Sequence, residues 1–217
     1  MESLSKSGKC ERSIRVNYEP NTDLGSMSQD QGVGATGIWD KNLASYKHTP
    51  TPDPIMKEII RIMPVGVGIA DLGCGIGWTC FYLHNAGFDV IGYEGTPDLR
   101  DIAVFTPIHQ QDLSIPFWLP DQRNIICLEV GEHIPNQYED TVFDNITNNA
   151  KFRVILSWAI PDQGGTGHVN EQPNYHVIGQ MIKRGFTINS ELTRSLRSVT
   201  PDETWWFRNT IMVFDRQ

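Results

Sequence analysis

Three stretches of this 217-residue chain combine residue types at spacings that suit chemistry. Asp71-Leu72-Gly73-Cys74-Gly75-Ile76-Gly77-Trp78 follows a short β-forming run and opens into a helical pattern. Its glycines let the backbone turn tightly and approach a ligand with no Cβ in the way, while the following helix offers free N-terminal amides; the loop suits a nucleotide-like cofactor. Glu94 stands 21 residues after Gly73 at the end of the next β-run, where a carboxylate can accept both hydroxyls of a ribose. Leu128-Glu129-Val130-Gly131-Glu132-His133-Ile134-Pro135 then sets two carboxylates and an imidazole within five residues at the mouth of a central strand. Burying such a group costs desolvation, so its presence there calls for a binding or catalytic reason.

A dinucleotide fingerprint would carry an apolar residue where Asp71 stands and a glycine where Trp78 stands, so an NAD-dependent oxidoreductase becomes a minor alternative. A glycine turn alone is a weak signal, because plain strand-to-helix connectors use glycine too. Asp71 ahead of the loop and Glu94 after it make the pattern specific to adenosine recognition.

These groups need a scaffold, and the pattern along the chain predicts one. Residues 1–35 are rich in Ser, Gly, Asn, Gln and Asp and cannot fill a core, which predicts a flexible N-terminal arm. Residues 36–64 read as a cap and a helix: Trp39, Tyr46 and His48 lead through prolines into Pro54–Met63, where Ile55, Ile59, Ile62 and Met63 recur at helical spacing. Residues 65–217 form the core region. There, β-runs are expected at Val67–Asp71, Val90–Tyr93, Phe105–His109, Asn124–Leu128, Val154–Trp158 and Phe186–Asn189, with helices at Trp78–Asn85, Asn136–Ala150 and Val177–Lys183. Strand and helix alternate, which implies a mostly parallel sheet with helices on both faces; Asn209–Phe214 is a last strand expected to lie antiparallel at the C-terminal edge. Ligands of such sheets sit beyond the carboxyl ends of the strands, where the three motifs fall.

With the motifs in this order, the sequence resembles the class I S-adenosylmethionine-dependent methyltransferases, whose glycine motif reads acidic-x-Gly-x-Gly-x-Gly as Asp71 to Gly77 does. The resemblance covers roughly Pro54 to Phe214 and takes in Gln111-Asp112-Leu113, where such enzymes set an Asp against the adenine amino group. It implies an α/β, Rossmann-like seven-stranded sheet and S-adenosyl-L-methionine as cofactor. It also implies cofactor contacts from Asp71, Gly73, Cys74, Gly75, Gly77, Trp78, Glu94, Gly95, Asp112, Leu113 and Glu129.

The Glu129 to His133 run is similar to the Glu-x-x-Glu-His segment of ubiquinone-pathway O-methyltransferases and of small-RNA 2′-O-methyltransferases of the Hen type. In those relatives the segment can hold a divalent metal that binds the acceptor hydroxyl, and the Hen-type pattern adds a later histidine, matched here by His168. The resemblance thus implies a metal set of Glu129, Glu132, His133 and His168, whose mixed oxygen and nitrogen donors select no single ion. A metal-free reading stands beside it, with Glu132 capping backbone amides and His133 packing or serving as general base. Catalysis is assigned to His133 and Glu132 on either reading. After the fifth strand, Asn170, Gln172, Asn174 and Tyr175 supply acceptor hydrogen bonds or serve as turn and cap residues. Trp205-Trp206-Phe207 closes a pocket or covers the sheet.

Composition narrows the partners. At 39% hydrophobic and 20% charged the chain is globular in character, and 18 Lys and Arg against 26 Asp and Glu leave a net charge of −8. Such a surface repels phosphate backbones, and Lys151, Arg153, Lys183, Arg184, Arg194 and Arg197 are dispersed along the chain, so a nucleic-acid substrate is disfavoured. Cys10, Cys74, Cys80 and Cys127 lack zinc or disulfide spacing. No run approaches the roughly 18 apolar residues of a membrane span, and a soluble cytoplasmic protein is expected. The predicted function is methyl transfer to a hydroxyl of a small-molecule acceptor; the alternatives are a metal-dependent RNA 2′-O-methyltransferase and a cofactor-binding module without catalysis.

Overall fold

The computed structural model describes residues 32–217. Of the expected arm, residues 1–31 lie outside the described residues; residues 32–35 belong to a turn in which Val33 bridges to Trp39. Two helices follow, α1 (Lys41–Lys47), whose N-cap Asp40 accepts the Leu43 N–H at 2.8 Å, and α2 (Asp53–Ile62). The core then runs β1 (Ile69–Leu72), α3 (Trp78–Asn85), β2 (Val90–Glu94), β3 (Ile108–Gln110), β4 (Arg123–Cys127), α4 (Glu139–Asn149), β5 (Ala150–Leu156), α5 (Asn174–Lys183), β6 (Phe186–Ile188), α6 (Ser190–Ser198), α7 (Trp205–Thr210) and β7 (Met212–Arg216).

The seven strands form one sheet in the order β3-β2-β1-β4-β5-β7-β6. Pairings from β3 through β5 are parallel, and β7 runs antiparallel to both neighbours. The C-terminal strand is antiparallel as expected, but β6 lies outside it and forms the edge. Burial explains the order: Met212, Val213 and Phe214 are all buried, whereas β6 buries only Phe186. A strand apolar on both faces belongs inside a sheet.

The alternation of side chains divides the core in two. Ala70, Leu72, Ile125, Cys127, Val154, Leu156, Met212 and Phe214 point to one face, against Phe143 and Ile146 of α4 and Val177 and Met181 of α5. Ile69, Ile126, Ile155 and Val213 point to the other, against Ile55 and Ile59 of α2, Cys80 and Leu83 of α3, and Leu196 of α6. Several elements differ from expectation. The third strand starts only after Pro107, which has no N–H to give a ladder. Helices α1, α6 and α7 were not expected; α7 takes up the Trp205-Trp206-Phe207 run, with Phe207 in the core. No helix among the described residues is long and apolar enough to cross a membrane.

Candidate functional site

The carboxyl ends of β1, β2, β3 and β4 and the loop between β5 and α5 open on one side into a cleft of about 630 Å³. Asp71, Gly73, Cys74, Gly75, Trp78, Glu94, Gly95, Asp112, Leu113 and Glu129 all line it. Gly77 does not; a Cβ there would meet Phe105 at 2.9 Å, so this glycine serves packing and a left-handed turn (φ +93°). Gly73 (φ +74°) and Gly75 (φ +56°) also occupy the left-handed region that disfavours a Cβ.

Glu94 is buried and engaged. One oxygen accepts the Gly75 N–H at 2.9 Å, and the other accepts the Thr96 N–H and hydroxyl, each at 3.0 Å. The carboxylate thus ties the end of β2 to the glycine loop. Asp71 is buried beneath the loop, accepts the Cys80 thiol at 3.5 Å, and is pushed up to about 7 by burial, with Glu94 adding repulsion. Asp112 accepts the Ser114 N–H at 2.8 Å. Cys74, Cys80 and Cys127 are free thiols, raised by burial in Cys74 and Cys127.

The second group is built by the chain after β4. Glu129 has a left-handed backbone (φ +55°), uncommon for a side-chain-bearing residue, and its N–H donates to Ser157 Oγ at 2.8 Å. A tight turn over Gly131–His133 follows. Gly131 lies against Trp158, where a Cβ would sit 2.2 Å from the ring, so the turn closes only on glycine and swings Glu132 inward. Glu132 is fully buried; its own amide and that of Ala159 lie against the carboxyl, but neither oxygen completes a well-formed hydrogen bond. Burial, with repulsion from Glu129, raises its pKa well above the ordinary carboxylate value; burial raises Glu129 to about 7. His133 is driven down to about 4 by burial and by His168, so it is neutral near pH 7.

Ligand atoms of Glu132, His133 and His168 lie within 4.8 Å of one another, and the two imidazoles meet edge to face at 4.9 Å. Glu129, the fourth member of the expected metal set, is outside this group; one of its oxygens accepts from Gln163 at 3.2 Å and the other is buried without a partner. A buried carboxylate with two vacant oxygens, facing two imidazoles, fits a divalent cation by both charge and donor type. The cap completes the wall. His48 stacks on Trp39 at 5.1 Å and 8°, Trp39 meets His133 edge on at 5.1 Å, and the His48 ring lies against Gly75. Among the described residues lining the cleft, Lys47 is the single Lys or Arg.

Other expectations resolve differently. Asn170 is buried and structural, donating to Glu139 at 3.1 Å; Gln172 donates to Asn170, Asn174 donates to the Asn209 carbonyl, and Tyr175 is exposed. These are the turn and cap roles. Trp205, Trp206 and Phe207 all line the cleft, and Trp206 and Phe207 also pack into the core, while Trp205 is exposed. Ser157, which opens the Ser157–Pro161 stretch where the resemblance implies an acceptor-binding loop, serves instead to hold the Glu129 backbone. Thr96, Gln163 and Glu171 carry no motif in the sequence; of these only Glu171, three residues after His168, has a spacing signal.

No protein-family model matches the chain, and no curated protein matches it. Solved structures do. Magnesium protoporphyrin IX methyltransferase (ChlM) from Synechocystis PCC 6803 with bound SAH is similar at TM-score 0.55 and 19% identity, over 76% of this chain and 81% of that one. The sugar N-methyltransferase KedS8 from Streptoalloteichus sp ATCC 53650 is similar at TM-score 0.56 and 14% identity, over 75% and 85%. A pericyclic reaction enzyme is similar at TM-score 0.53 and 17% identity, over 81% of this chain and 52% of that one. The chain therefore has the fold of the class I S-adenosylmethionine-dependent methyltransferases. One of these neighbours is a pericyclic reaction enzyme, so the fold alone does not fix the reaction.

Proposed function

We propose that this protein transfers a methyl group from S-adenosylmethionine to a hydroxyl of a small-molecule acceptor held beside His133. The observation that carries the reading is that one cleft joins the Asp71–Gly77 loop, with Glu94 hydrogen-bonded to Gly75, to the buried Glu132–His133 pair. Gly73 and Gly75 leave backbone exposed to a cofactor, Glu94 and Asp112 offer acceptors for its ribose and adenine, and Asp71 and Glu129 supply negative charge toward a sulfonium cation. A sulfonium is already a reactive methyl donor, so the protein's task is alignment and exclusion of water; Trp39, Trp205, Trp206 and Phe207 wall the cleft for this.

His133 alone is a weak base. Held near 4, it cannot take the proton of an ordinary alcohol efficiently, because general-base catalysis works best with a pKa near the operating pH. This favours a metal-assisted version of the same reaction, with Glu132, His133 and His168 as the residues that would hold a divalent ion. Such an ion would act as a Lewis acid that lowers the acceptor's pKa. A cleft of about 630 Å³ is in the range of small-molecule sites, and Lys47 is the single Lys or Arg among the described residues that line it, which does not favour a phosphate backbone there.

Calorimetric titration with S-adenosylmethionine tests the cofactor, and absence of binding at millimolar ligand would overturn the reading. Methyl transfer from labelled cofactor to a library of hydroxyl compounds, with and without chelator, tests the reaction. Binding without turnover on any acceptor would instead identify a cofactor-binding module.

A further inference from the structure

The loop between β5 and α5 brings two side chains to the site, Gln163 onto Glu129 and His168 onto His133 and Glu132. His133 meets the Gly167 carbonyl at 3.4 Å and Val169 N–H donates to the Glu132 carbonyl at 2.8 Å at the loop's far end, and one side chain gathers its near end. Glu171 accepts the Asp162 N–H at 2.8 Å on one oxygen, and on the other the Gly164 N–H at 2.7 Å and His168 Nδ1 at 2.9 Å. The loop it spans has three left-handed residues, Asp162 (φ +69°), Gly164 (φ +68°) and Gly167 (φ +73°), a path that needs external fastening.

We propose that Glu171 is a positioning residue: its carboxylate fixes His168 in the Nδ1–H tautomer and fastens the 162–168 loop, so that the Nε2 lone pair is presented to the Glu132–His133 site. The inference rests on the metal-assisted form of the proposed function for its purpose, and on geometry for its content. A carboxylate can only accept, so Nδ1 must be the donor, which leaves the lone pair of a neutral ring on Nε2. Both oxygens already accept backbone N–H groups, from Asp162 and from Gly164, which marks the carboxylate as an acceptor on each side. Gly165 covers the ring without blocking it. A Cβ at Gly165 would lie 2.2 Å from Nε2 and 2.6 Å from each of Cδ2 and Cε1, an approach over the ring face and not along the in-plane lone pair. A carboxylate behind a ligating imidazole orients the ring and raises its basicity, and losing such a partner typically costs about 10- to 100-fold in metal affinity.

The test uses the full chain and the Glu171→Leu variant, which removes the acceptor at similar size, with the exposed Val169→Ala as a loop control that leaves Glu171 in place. Two readouts are taken at pH 8: the His168 tautomer from nitrogen-15 NMR of the imidazole, and Co²⁺ affinity from the visible absorption of the bound ion. Wild type should show His168 as Nδ1–H, and Glu171→Leu should shift it toward Nε2–H and weaken Co²⁺ about 10- to 100-fold. Glu171→Gln, whose amide oxygen can still accept from Nδ1–H, should keep the tautomer, and Val169→Ala should leave the tautomer as in wild type and Co²⁺ affinity within about 3-fold. An unchanged tautomer in Glu171→Leu overturns the proposal, as does an unchanged Co²⁺ affinity. If wild type binds no Co²⁺ while the tautomer still depends on Glu171, the metal reading fails and the positioning role stands.

Discussion

Asp71 makes the charge on this cleft measurable. Its carboxyl is buried at the end of β1, with one thiol as hydrogen-bond donor, and its pKa rises from 3.8 to about 7. Below pH 4 both folded and unfolded chains hold the proton. Between about 4 and 7 the folded chain keeps a proton that the unfolded chain has released, so stability falls as pH rises, and above 7 the loss is complete. At about 1.4 kcal/mol per pH unit the full loss is about 4 kcal/mol, of which about 3 kcal/mol falls between pH 5 and 8. Asp71→Asn keeps the size and an acceptor for the Cys80 thiol but cannot ionise. Urea unfolding of both proteins at pH 5, 6, 7 and 8, followed by tryptophan fluorescence, should give profiles that diverge, with wild type losing about 3 kcal/mol relative to the variant. Glu129, Glu132 and His133 titrate in both proteins and cancel in the comparison. In wild type, S-adenosylmethionine should bind more tightly at pH 8 than at pH 5, because a cation offsets the ionised acid, and in Asp71→Asn this pH dependence should flatten. Parallel stability profiles would show that Asp71 is ionised at pH 5 in the folded chain and refute the argument.

Three further outcomes are expected. Gly73→Ala places a Cβ 2.4 Å from Val130 Cγ2 at φ +74° and should cost about 2–4 kcal/mol by urea unfolding, with the overpacking share recovered in Gly73→Ala/Val130→Ala; strictly additive costs would disprove the contact. His48→Ala opens the wall over Gly75 and should weaken S-adenosylmethionine binding about 10-fold, roughly 1.4 kcal/mol, while His48→Phe keeps the Trp39 stack and recovers part of it; equal calorimetric affinities would remove His48 from the site. Asn170→Ala strips a buried donor from Glu139 and should destabilise by about 2–3 kcal/mol in urea, whereas a cost under about 0.5 kcal/mol would show that the network is idle.

The local parts of this molecule were legible in the sequence and the distant ones were not. Strand, glycine turn and helix from Ile69 to Asn85 form one continuous run, and the carboxylate at Glu94 follows one crossover later, so short-range rules reach both. Helix α6 does carry local signals: Asn189 caps it by accepting the Leu192 N–H at 3.0 Å, and Leu192 and Leu196 share its buried stripe. The place of β7 inside β6 depends on pairing between segments joined through two helices, which no local pattern encodes. Glu129 is the clearest case at the site. Its spacing from Glu132 suggests a shared ligand set, and its left-handed backbone and its bond to Ser157, 28 residues away, set the carboxylate between Gln163 and Glu132, a placement that depends on contacts no local spacing encodes.

The net charge of −8 becomes informative once the acids are located. Asp71, Glu94, Asp112 and Glu129 line one cleft, Glu132 lies behind it, and Lys47 is the single Lys or Arg among the described lining residues. A fold with that many acids at one strand end would lose stability if all were ionised together, and burial accordingly keeps Asp71, Glu129 and Glu132 partly protonated near neutral pH. Cations that enter the cleft would reverse this by favouring the ionised forms, so their binding must release protons. Calorimetry of S-adenosylmethionine or Co²⁺ binding at pH 7 in two buffers of different ionisation enthalpy measures that release directly. A proton count of zero for both ligands would mean that the buried acids do not face them, and would detach the charge of the cleft from its chemistry.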